Sequence, residues 1–131
     1  MRNLFLLGLG LLLGAIGASI VQNTLARRAA YARGVMDVMQ HHYAGLRERL
    51  RDPKCATVDA RADRAMLAAL TEQVGPSQYG DDEPDAPFRE YADRLRTAVA
   101  DLPEQPAACG AVAPVVTQIG NACEGCHRQY R

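Results

Sequence analysis

The sequence has no tryptophan and only seven aromatic residues, five Tyr and two Phe, among 131. Aliphatic side chains and Ala must therefore fill most of any interior, which leaves a small domain short of bulk. Charge of one sign is not in excess. Fifteen basic residues balance fifteen acidic ones, so the chain has no electrostatic footprint for nucleic acid. Beyond Tyr31 no stretch alternates with the two-residue period of a strand, which turns attention to helices. A Ser-His-Asp set and a readable carboxylate pair are both missing, so no substrate-converting site is evident.

What is present is concentrated in Cys123-Glu124-Gly125-Cys126-His127. Two thiols three residues apart lie on one helical turn and can form two thioether bonds to the edge of a haem. The imidazole that follows can ligate the iron from one face. A zinc half-site would need a second Cys or His pair at finger spacing, and a thioredoxin-like dithiol would need a βαβ context. Neither accompanies this motif, which predicts one covalently attached haem c. A porphyrin would also supply much of the missing core bulk.

Leu4 to Val21 is an unbroken run of apolar and small residues. As a helix it spans about 27 Å, near the hydrocarbon thickness of a bilayer. No clean Ala-x-Ala cleavage pattern follows it, so residues 1–29 are read as a retained signal anchor rather than a removed signal. Gly10, Gly14 and Ala18 form a small-residue ridge that could admit a second membrane helix, from another copy or from a membrane subunit. The arginines after the run (Arg27, Arg28, Arg33) outnumber Arg2 before it, which by the positive-inside rule favours a cytoplasmic domain.

Residues 30–131 read as one all-α domain, an antiparallel four-helix bundle. In the first helix Ala32, Met36, Met39, Tyr43, Leu46 and Leu50 repeat at three and four, ending before Pro53. A second is predicted over Val58–Val74, capped by Thr57 and stopped by Gly75-Pro76, with Ala62, Met66, Leu70 and Val74 inward. Gly75 to Pro87 is expected to be the longest loop. A third helix runs from Asp85 or Ala86 to Leu102, with Phe88, Tyr91, Leu95, Val99 and Leu102 inward and Arg89–Asp93 and Glu90–Arg94 paired outside. The fourth carries Cys109, Val112, Val116, Ile119, Cys123, Cys126 and Tyr130 on one seam, with regular helix expected from Pro114.

Alternating helix directions put Met36 and His127 at one end of such a bundle and Cys55 and Cys109 at the other. Met36 is therefore the predicted sixth ligand of the iron, opposite His127. Met39, one turn on, is the nearest competitor, with core packing as its plainer role. His41 and His42 point too far round the helix from Met36 to ligate and are read as rim residues.

These residues resemble the class II c-type cytochromes, the cytochrome c′ family. Cys123 and Cys126 match the thioether cysteines, His127 the proximal ligand, and Tyr130-Arg131 the aromatic-basic pair that follows it. The first helix, with Tyr31, Met36, Met39, His42 and Tyr43, looks like that of the family. The resemblance implies haem attachment on the outer face of a bacterial inner membrane, against the arginine count. With Met36 as ligand it implies a low-spin, non-enzymatic carrier of one electron to or from a redox partner protein, alone or as a homodimer. With a non-ligating residue there it implies a five-coordinate haem that binds nitric oxide or carbon monoxide, and an open iron site with peroxidase-like or nitric-oxide-reducing activity is a third reading. An oxidising compartment favours a disulfide between Cys55 and Cys109, with two separately buried cysteines as the alternative.

Overall fold

A computed structural model of the chain describes residues 2–130, and its side chains over 6–130. The apolar run and the first domain helix form one element, α1, Arg2–Arg51. At 1.5 Å per residue it is about 75 Å long, and it passes residues 29 and 30 without a break. Side chains 6–31 are all exposed, among them ten large apolar ones from Leu6 to Leu25. This span is long and apolar enough to cross a membrane, and a signal sequence would have the same character. Contact with the rest of the chain begins where the Arg28 guanidinium lies against Gly80 and Tyr31 donates to Gln73 Oε1 at 2.7 Å.

Three further helices follow: α2, Arg61–Tyr79; α3, Ala86–Ala100; and α4, Cys109–His127. α1 packs against α2 and α4, and α3 packs against the same two. Side-chain pairs mark the levels at which they meet. His42 and Arg49 of α1 both reach Asp63 at the start of α2, and Arg96 of α3 donates to Glu72 of α2 at 2.6 Å. Tyr91 of α3 donates to Gln129, just beyond α4, at 3.3 Å. Tyr43 of α1 lies against Gly120 of α4, where an added methyl would collide with its hydroxyl.

Beyond the helices there is one small ladder, β1 (Thr57–Val58) against β2 (Ala107–Ala108), antiparallel. It adjoins a disulfide between Cys55 and Cys109, whose Cα atoms are 6.0 Å apart. The bridge lays the two connecting segments side by side, and their backbone groups pair, Cys109 N–H also donating to Ala56 C=O at 3.2 Å. Thr57 is consequently in the ladder and does not cap α2, which begins at Arg61.

α2 departs further from expectation. It continues through Gly75-Pro76 to Tyr79 and stops at Gly80, whose φ of 64° suits glycine and whose N–H bonds Pro76 C=O at 2.9 Å. Pro76 sacrifices one donor on the exposed side, while Val74 and Ser77 on either side of it are buried. The connection to α3 thus shrinks from the expected Gly75–Pro87 loop to residues 80–85. The inward face of α2 is Asp63, Leu67, Thr71 and Val74; Ala62 and Met66 are exposed. An apolar-only pattern misses this stripe because two of its members are polar, Asp63 accepting from two partners and Thr71 bonding Ala68 C=O at 2.7 Å.

α3 starts as expected, with Asp85 Oδ1 accepting from Phe88 N–H at 2.8 Å. Phe88, Leu95, Val99 and Leu102 are buried and Tyr91 is half-buried. Glu90 pairs with Arg94, but Arg89 pairs with Glu83 and Asp93 with Arg96. α4 is helical from Cys109, five residues before Pro114. Pro114 removes only the bond to Gly110 C=O near the helix start, and both residues are exposed.

Candidate functional site

The last turns of α4 place Cys123 and Cys126 on its inward side, both half-buried, with buried Gly125 between them and exposed His127 after them. Spacing of three residues puts the two sulfur atoms on one face, and the Val112, Val116, Ile119 stripe aims that face inward. Across from it, α1 presents Met36, half-buried, and Met39, 5% exposed.

Between them lies a cavity of about 90 Å³. Met36, Met39 and Tyr43 line it from α1, and Cys123, Cys126 and His127 from α4. Leu67, Val74, Leu95 and Ile119 complete a largely apolar wall. A neighbouring cavity of about 490 Å³ shares Met36, Val74, Cys126 and His127 and extends to Ala29, Arg33, Phe88 and Tyr130. The first alone is the size of a few waters, while the second falls within the range of small-molecule sites. Met36 borders both cavities with His127, whereas Met39 borders only the smaller.

Burial raises the Cys123 thiol, with the neighbouring Cys126 adding to the effect, and burial raises Cys126 as well. Both therefore stay protonated at neutral pH, the opposite of the depressed thiol that a reactive dithiol uses. Among the described residues, no three His, Cys, Asp or Glu side chains gather as a metal-holding group. A haem asks less of the chain, since the porphyrin supplies the equatorial ligands and the protein only the axial ones. Two thiols, an imidazole and a thioether around one apolar space fit that demand.

Tyr130 is tied down. Its hydroxyl donates to Asp85 Oδ1 at 2.7 Å, and its ring meets Phe88 and Tyr91 edge-on at 5.2 and 6.1 Å. Asp85 also accepts from Tyr79 at 3.3 Å. The Phe88 N–H, with the Tyr130 hydroxyl second, holds the Asp85 carboxyl below the usual carboxylate range. The Tyr130 phenol, bonded to that carboxylate, is pushed up to about 12. Arg131, the other residue expected here, lies outside the described residues. His42 is not an open rim residue, since its Nδ1 is 2.9 Å from Asp63 Oδ1 and its side chain is 22% exposed.

Sequence reasoning missed Asp85, Tyr79 and Gly120 as parts of this end. Asp85 was readable only as one bound of the third helix, and its partner forty-five residues on was not readable. Compared with known proteins, the chain matches no family model, no curated protein and no solved structure.

Proposed function

We propose that the chain is a membrane-anchored c-type cytochrome of the class II kind, an antiparallel four-helix bundle that carries one electron at the outer face of a bacterial inner membrane. The observation that carries this reading is the meeting of the Cys123–Cys126–His127 turn with Met36 and Met39 around one apolar cavity. Cys123 and Cys126 would hold the porphyrin as thioethers, and His127 and Met36 would ligate its iron. When bound, haem c would supply a one-electron couple, whose potential a Met ligand would raise.

The chain's own residues prepare for this. Leu67, Val74, Leu95 and Ile119 keep water from the inner face of the cavity. The Tyr130–Asp85 bond fixes the turn that follows His127 to the start of α3. The pairings of Tyr31 with Gln73 and His42 with Asp63 support opposed directions for α1 and α2, and the disulfide and the Tyr43–Gly120 contact do so for α1 and α4. The exposed apolar half of α1 supports the anchor.

Absorption spectra of the oxidised and reduced protein test the reading. The unmodified protein should be low-spin, and Met36→Ala should make it high-spin, admit carbon monoxide and lower its potential. Met39→Ala should loosen packing and leave the spin state alone. A high-spin unmodified protein that binds carbon monoxide would make Met36 a pocket wall and favour a five-coordinate gas-binding haem.

A further inference from the structure

The anchor and the first helix of the domain are a single rod, and this fixes which end of the domain faces the bilayer. α1 has no break between its exposed apolar span and the level of the candidate site. From Val21 to Met36 it rises about 22 Å, and from Val21 to Arg51 about 45 Å. The larger cavity reaches lower still, to Ala29, where α1 has risen only about 12 Å. Met36, His127 and Tyr130 therefore occupy the membrane-facing end of the domain, and the Cys55–Cys109 bridge the far end.

The connection is also stiff. A flexible linker would let the domain turn its site toward any partner, but residues 22–30 are helical and Arg28 already rests on Gly80. The domain is left with rotation about the membrane normal and diffusion in the plane. The Met36–His127 level, about 22 Å along α1 from Val21, is beyond direct contact with a carrier dissolved in the hydrocarbon. It is level with the redox centre of a neighbouring protein that projects a similar distance.

We propose that the electron partner of this chain is an integral membrane protein of the same bilayer, met side-on at the membrane-facing end of the domain, rather than a soluble carrier. This rests on the anchored-cytochrome reading. The partner, in its reduced or oxidised form, exchanges one electron with the domain and no atoms are transferred.

The test inserts seven helix-forming residues after Gln22 in the full-length, haem-loaded protein. Two turns raise the site by about 10 Å and rotate it by only about 20°. Turnover driven by native inner membranes, read from the absorbance change, should fall about tenfold or more, because a rigid tether that misses the partner's level loses its effective concentration. Reduction by dissolved ascorbate should be unchanged. A photo-crosslinking residue at exposed Gln78 should capture an integral membrane protein in the parent chain and lose it in the lengthened one, while the same residue at Glu104 should capture none. Membrane-driven turnover that ignores the insertion, or parent protein that membranes do not turn over, would overturn the proposal. Failure of the haem to attach would instead overturn the reading beneath it.

Discussion

At the disulfide end of the domain, Leu46, Val99, Leu102 and Val112 are fully buried, and a covalent bridge and a two-residue ladder close the connections. At the other end Met36, Tyr91, Cys123, Cys126 and Tyr130 are only half-buried, His127 is exposed, and two cavities adjoin. The aromatic side chains sharpen the contrast. Tyr43 and Tyr91 line the smaller cavity, Phe88 and Tyr130 the larger, and Tyr79 packs on Phe88, so the scarce bulk of the sequence gathers where space is still left. One end is closed by packing, and the other leaves space between its side chains.

Cutting the closed end should have the largest effect on stability. Replacing Cys55 and Cys109 together by Ala opens a loop of 54 residues. In the chain-entropy model this costs about 4 kcal/mol, to be read as a lower denaturant midpoint, while the haem spectrum should be unaltered. A changed spectrum would mean that the two ends are not independent.

Next comes a matched pair of truncations. Leu46→Ala leaves a hole in close packing and should cost about 3 kcal/mol with or without haem. Met36→Ala, at the edge of an existing cavity, should cost less than about 1 kcal/mol in haem-free protein and show its effect in the holoprotein spectrum. Equal losses in the haem-free chain would show that both ends are packed alike.

The smallest effect is electrostatic and belongs to the open end. Asp85 has its carboxyl lowered by the Phe88 N–H and Tyr130. A lowered folded-state value gives stability that is complete above the ordinary carboxylate range and is lost as pH falls through the folded value. Asp85→Asn keeps a capping side chain but removes the charge, so its melting temperature should decline less than that of the parent between about pH 5 and pH 3. Asp59, held at about 2 chiefly by its Arg61 side-chain contact, adds to the same acid limb in both proteins and cancels from the difference. Parallel profiles would remove Asp85 from the open end's pH response.

Much of this was legible because local chemistry and period agree. Cys109, Val112, Val116, Ile119, Cys123 and Cys126 fall on one heptad seam, and the α3 seam from Phe88 to Leu102 is equally regular. Legibility failed where tertiary contacts override a local signal. Gly75-Pro76 reads as a stop, yet burial of Val74 and Ser77 carries α2 past it. Asp63 reads as surface, yet His42 and Arg49 make it an inward residue and turn the helix face with it. The Tyr130–Asp85 bond joins residues that no short-range pattern connects.

The most direct test of a haem held by Cys123 and Cys126 is the intact mass of the protein made in cells that carry a haem-attachment system, after acid–acetone extraction. The mass should exceed that of the polypeptide by one haem, with the colour remaining on the protein, and replacing both cysteines by Ser should abolish both. Colour that passes into the acetone, or a mass equal to that of the bare chain, would contradict it.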